Sequence, residues 1–229
     1  MADKPKDLTI KGRVSYPTFT YAEAVSRNVK SKYPKADVNT IRPSVDLLLA
    51  PSAAEKLVEY LLGEFLPFVE GLGKQDAKGG LSANEAKLLK RALNEADWET
   101  EGVLGLIRPV GEKTKELAPE AVLSLKVNGL QKTDFDLKAV VRSADQLANP
   151  MDDLIIPDRG TILPLSDTKL DLYPGSNAGA TINLWAFVSG KTPGITASTG
   201  TIVFLSDNER FGGGGGLDED AIFADFDED

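Results

Sequence analysis

Short, strand-like runs of apolar residues dominate the hydrophobic pattern of this chain, with one helical interruption. Residues 8–21 (LTIKGRVSYPTFTY) are rich in β-branched and aromatic types and partly alternate, which predicts a strand broken near Pro17. Residues 22–37 are polar and basic without a clean period, and read as a long loop or a short irregular helix. Residues 38–49, ending Val45-Asp46-Leu47-Leu48-Leu49, predict a second strand stopped at Pro51. A helix should open there, with Ser52 as N-cap and Glu55 three residues on as a capping box, and with Leu57, Tyr60, Leu61 and Phe65 at helical spacing. The glycines of residues 71–80 mark a linker. A second helix is expected over 82–98, capped by Ser82 and Glu85, with Leu88, Leu89, Ala92 and Leu93 as its stripe and Trp98 as a core residue at its end.

Strands are then expected at 103–108, 121–130 and 134–142, with short pieces at 153–157 and 169–173 inside a segment rich in Pro, Asp and Gly. Residues 181–188 (TINLWAFV) form the clearest strand, and 200–205 the last. Trp185 and Phe187 share one face of the 181–188 strand and Ile182, Leu184, Ala186 and Val188 the other. Two apolar faces fit a fully buried strand, or a strand that exposes stacking rings on one side. Many short strands around a two-helix insertion near 52–98 predict a mainly β protein, a small barrel with an elaborated connection.

Composition removes whole classes of chemistry. The 229 residues contain no Cys and no His. That excludes disulfides, thiolate nucleophiles, Cys- or His-ligated zinc and the Ser-His-Asp triad. An enzyme is not expected, and no cofactor is called for. Asp152, Asp153, Asp158, Asp167 and Asp171 could serve a carboxylate-only metal site, but they stand among prolines and glycines where Asp is an ordinary turn residue. Gly190-Lys191-Thr192 ends like a phosphate-binding loop, yet Trp185 stands where that motif needs its first glycine. No apolar run is long enough to span a bilayer, and a soluble protein of the cytoplasm is expected.

Charge changes the picture again. The net charge is −9, but residues 217–229 hold seven acids and no base, and setting those seven aside leaves −2. Between Lys11 and Arg42 seven bases meet only Glu23 and Asp37, a local excess of five. In this stretch Tyr16, Phe19, Tyr21 and Tyr33 interleave with Arg13, Arg27, Lys30, Lys32 and Lys35. Cations that follow phosphates and rings that stack on unpaired bases are what single-stranded nucleic acid requires. The candidate DNA-binding residues are therefore Lys11, Arg13, Tyr16, Phe19, Tyr21, Arg27, Lys30, Lys32 and Tyr33.

At the other end, Gly212 to Gly216 form a tether for the acidic tail, in which Phe223 and Phe226 stand among Asp218, Glu219, Asp220, Asp225, Asp227, Glu228 and Asp229. Apolar anchors among carboxylates suit a partner-docking peptide, or one that lies in the protein's own cationic groove. The expected organisation is a domain over 1–211, a linker over 212–216 and a tail over 217–229.

The order of features is informative: the strand Lys11-Gly12-Arg13-Val14-Ser15-Tyr16-Pro17, the strand Val45 to Pro51 leading into a helix, the late strand Ile182 to Phe187, then Phe211, polyglycine and the acidic end. This resembles the single-stranded DNA-binding proteins of tailed phages. The resemblance implies an OB-fold barrel, sequence-independent protection of ssDNA during replication and recombination in the host cytoplasm, and a tail that recruits a polymerase, helicase or nuclease. It leaves room for a homodimer. Many such tails end in an aromatic residue, whereas here Phe226 is followed by Asp227-Glu228-Asp229. The rival expectation is a phage assembly or interaction protein that uses the tail to dock a basic partner without touching DNA.

Overall fold

The computed structural model describes residues 5–31, 34–35, 37–73, 80–95, 105–149 and 154–211. The predicted helix at 98 with its Trp98, Asp152 and Asp153, and the whole of 212–229, lie outside these residues.

The first strand, β1 (Leu8–Thr18), runs through Pro17 but bulges there: Tyr16 takes a positive φ of 44° and the pairing register shifts between Ser15 and Thr18. The basic stretch after it folds into a regular helix, α1 (Tyr21–Val29). Thr20 caps it, accepting from the Glu23 N–H, while the Glu23 carboxylate accepts from the Phe19 and Thr20 N–H groups. β2 (Ser44–Leu49) follows, shorter than the expected 38–49 because Pro43 precedes it and a single 3₁₀ turn occupies Val38–Thr40.

The helical insertion starts with α2 (Pro51–Tyr60). The Ser52–Glu55 capping box does not form. Pro51 is already the first helical residue, so the cap position falls on Ala50, which has no side-chain acceptor. The helix continues through a π turn (Leu61–Phe65), in which the Leu66 N–H reaches back to the Leu61 carbonyl, into α3 (Leu66–Leu72). Pro67, which lacks an N–H and crowds the preceding turn, gives the reason for that widening. The predicted second helix is α4 (Ala83–Glu95), and its capping box does form: Ser82 N–H and Oγ both donate to Glu85 at 2.8 Å. Leu57, Leu61, Phe65, Leu66, Leu89 and Leu93 turn inward into the main core.

β3 (Ile107–Pro109), α5 (Glu112–Leu117), β4 (Leu123–Asn128), β5 (Asp136–Val141), β6 (Thr161–Pro164), β7 (Asn177–Ser189), β8 (Thr192–Ser198) and β9 (Thr201–Ser206) complete the order. Residues 154–157 and 169–173 form no strand. α5, β6 and β8 were not anticipated, β8 because its Pro193 and Gly194 look like a turn.

Five strands close a ring in the order β1-β2-β4-β8-β7 and back to β1; every pair is antiparallel except β4–β8. A five-stranded ring with one parallel seam is the OB-fold-like arrangement expected. It is a ring more than a fully bonded barrel, because the parallel seam pairs only Val127 with Ala197 and Asn128 with Ser198. The 13-residue β7 makes the closure possible. Its first half pairs with β1 and its second half with β8, while Asn177 to Gly179 also pair with β9, which carries β5 and β6 as a side extension. Val14, Val45, Leu47, Leu125, Val127, Ile182 and Ala197 fill the interior of the ring, and α4 packs on β8.

Candidate nucleic-acid interface

Side chains directly opposite each other in an antiparallel pair stand on the same face, so the registers map the outer wall of β1, β2 and β4 as rows. Arg13, Leu48 and Ser124 form one row, extended to Arg108 on β3; Ser15, Asp46 and Lys126 form the next; Thr18, Ser44 and Asn128 form the third. The intervening Val14, Leu47 and Leu125 point inward.

The first row is partly roofed. Leu48 packs with Val110, Ala118, Ala121 and Phe211 in a second, smaller apolar cluster. Arg13 belongs to this roof and not to an open groove, which corrects the sequence-based expectation. It is 6% exposed, and its guanidinium donates to the carbonyls of Gly175, Leu117 and Glu209 and to the Glu120 carboxylate, with the Phe211 ring 4.4 Å away. Lys11 is exposed but sits two residues before Arg13, away from the open rows. Phe19 is half-buried and packs against the main core, and its carbonyl accepts from the Phe135 N–H.

The second and third rows open to solvent away from β1: Ser15 and Thr18 are buried, Asp46, Ser44 and Asn128 are half-buried, and Lys126 is exposed. Tyr16 projects beside them, 67% exposed. Arg27, on α1, donates to the Tyr16 and Pro17 carbonyls at 2.7 and 2.6 Å and so fixes the bulge. Tyr21 is half-buried at the start of α1, where its N–H donates to Asp134, and Lys30 is exposed at the helix end. Lys32 and Tyr33 lie outside the described residues.

Several residues that the sequence did not single out complete the site. A groove of about 260 Å³ runs between α1 and the third row, lined by Thr18, Arg27, Lys35, Arg42, Ser44 and Lys126 among others. Burial, then the neighbouring charges of Lys126 and Arg42, holds the Lys35 ammonium below its ordinary value. Cations crowded against one another in this way form a site that an anion would relieve. The third row continues across the seam: Asn128 Nδ2 donates to Thr196 Oγ1 at 3.1 Å, and Thr196 pairs with Trp185. Trp185 is 49% exposed while its neighbour Ala186 is buried, so the aromatic side of β7 faces out. The alternation Leu125-Lys126-Val127-Asn128 was the available signal for this face, but only strand pairing shows what it adjoins.

One carboxylate interrupts the cations. Asp46 lies between Ser15 and Lys126, and burial raises its carboxyl above the usual range against the opposing pull of Lys126, Arg108 and Arg27. Among the described residues no group of three or more acids could hold a metal ion, and no helix is long and apolar enough to cross a membrane.

No protein-family model matches the sequence, and no curated protein matches it. Solved structures do. The chain is similar to the single-stranded DNA-binding protein from bacteriophage Enc34, with 14% identity and a TM-score of 0.48 over 93% of this chain and 87% of that one. It is similar to the same protein in complex with ssDNA, at 15% identity and a TM-score of 0.48, covering 89% and 87%. It is also similar to gp2.5, the single-stranded DNA-binding protein encoded by bacteriophage T7, at 11% identity and a TM-score of 0.41, covering 95% and 93%. The structural neighbours of this chain are bacteriophage single-stranded DNA-binding proteins.

Proposed function

We propose that this protein binds single-stranded DNA without marked dependence on sequence, along the open face of β1, β2 and β4 and across the seam onto β7. The observation that carries the reading is the combination on one wall of crowded cations (Arg27, Lys35, Arg42, Lys126) with outward rings at Tyr16 and Trp185. The cations follow phosphates, and the rings offer stacking surfaces that any base can use. Lys30 and Tyr21 extend this wall along the β1–β2 connection, Lys32 and Tyr33 are further DNA-binding candidates by their chemistry alone, and Arg13 and Phe19 act through the fold. The role fits protection of ssDNA during phage replication and recombination in the host cytoplasm.

The tail completes the proposal. Residues 217–229 carry the charge opposite to the wall, and the five-glycine tether begins next to Phe211, which is anchored on the roof of the first row. In the absence of DNA the tail competes for the cationic face; once displaced, its acids and Phe223 and Phe226 are free to dock replication proteins. Anisotropy titration of labelled oligo-dT at two salt concentrations tests both parts. Tight, salt-sensitive binding that strengthens in a 1–216 truncation is expected. Absence of binding by both forms removes the DNA reading, and unchanged affinity on truncation removes tail competition.

A further inference from the structure

A carboxylate is out of place on a surface that holds phosphates, and Asp46 is placed there by the register of two strand pairs. Beside it a notch of about 140 Å³ opens, lined by Ser15, Tyr16, Asp46, Arg108, Thr114 and Ser124 among others. That volume equals several waters at roughly 30 Å³ each, and the lining sets hydroxyl, carboxylate and guanidinium groups beside the apolar Leu48, Pro109 and Val110, with the exposed Tyr16 at its side. The bulge that presents Tyr16 is built in, with Arg27 bonding both of its carbonyls. Asp46 repels a phosphate. It attracts the N–H edge of a base.

Resting on the DNA-binding reading above, we propose that Asp46 is a base-reading residue: the notch takes one base of the bound strand, stacked at Tyr16, with the carboxylate accepting from the base's N–H groups. An ionised carboxylate is an acceptor only, with two oxygens. Guanine presents adjacent N1–H and N2–H donors that both oxygens can take together. Cytosine and adenine present one amino group each, and thymine a lone N3–H between two carbonyls that the carboxylate repels. The protein therefore binds most strands while favouring those that place a guanine in the notch. Arg108, at the notch and among the cations that act on Asp46, favours the ionised form that reads the base.

The test compares an oligo-dT tract with the same tract carrying isolated guanines, spaced too widely to form four-stranded structures, for the full-length protein and for Asp46→Asn and Asp46→Ser. Wild type should bind the guanine-bearing tract about fivefold or more tightly. Both variants should lose that preference while binding plain oligo-dT as well as, or better than, wild type. Equal wild-type affinity for the two tracts overturns the assignment, as does a preference that survives both substitutions. Failure of wild type to bind either tract overturns the DNA-binding reading itself.

Discussion

The Arg13 guanidinium lies 4.4 Å from the centre of the Phe211 ring, joining the first strand of the ring to the last described residue of the chain. The same guanidinium bonds three carbonyls, of Gly175, Leu117 and Glu209, so four separate segments meet on one side chain. Gly175 is part of this clasp by necessity. Its φ of 108° suits glycine, and a Cβ there would come within 2.2 Å of the Glu209 carbonyl.

Arg13 is therefore expected to govern stability more than affinity. Arg13→Ala should cost about 3 kcal/mol, since it strands several buried acceptors at once, and Phe211→Ala a similar amount. Arg13→Lys should rescue little, because an ammonium cannot reproduce the planar fork. Urea unfolding reads the loss, and oligo-dT titration well below the midpoint should show near-native affinity.

Cations lining the groove beside α1 should behave in the opposite manner. Lys126→Gln, Arg42→Gln and Lys35→Gln should each weaken oligo-dT binding and lower the slope of log affinity against log salt by about one. Since Lys126 and Arg42 both act against the charge on Lys35, none of these changes should reduce thermal stability. A weaker affinity with an unaltered salt slope would mean that the residue does not meet a phosphate.

Trp185 gives a third expectation. Half of it is exposed, so Trp185→Ala should lower the unfolding midpoint less than Phe211→Ala does, since Phe211 is buried. If a base stacks on it, affinity should fall by about 1–3 kcal/mol, and its fluorescence should be quenched when DNA is added to the native protein. An affinity equal to wild type would confine the interface to the β1, β2 and β4 rows.

Asp46 makes a prediction in pH. Burial is the larger influence and raises its carboxyl, while Lys126, Arg108 and Arg27 oppose it. The folded chain then holds the proton more tightly than the unfolded one. The favourable contribution of this group is complete below the ordinary carboxylate value, and it is lost as pH rises through the raised one. Asp46→Asn should consequently be more stable than wild type near neutrality, with a shallower decline in stability just above about pH 4. Denaturation midpoints of the two proteins across that range decide it; parallel curves would mean that the carboxyl titrates alike folded and unfolded.

Much of this was written in local sequence. Alternation and turn residues placed most strands of the ring, the Ser82–Glu85 spacing placed a helix start, and the basic stretch before Arg42 marked the region where α1 and its groove lie. These are properties of neighbours along the chain: the period of two of a strand, the donors that a helix end leaves open, the local excess of charge. The missing pieces depended on pairing between distant segments. β8, with its Pro193 and Gly194, is a strand because β7 and β4 supply its partners. Arg13 and Arg27 look alike in sequence, yet one is sealed under Phe211 from the far end of the chain and the other meets solvent. Trp185 could stack or fill the core until the seam between β4 and β8 set which side of β7 faces out. Asp46 and Lys126, 80 residues apart, share a face because of strand register alone. Sequence determined the local elements and the charge they carry; tertiary structure decided which side chains stand together, because burial and register are set by partners that the chain brings in from elsewhere.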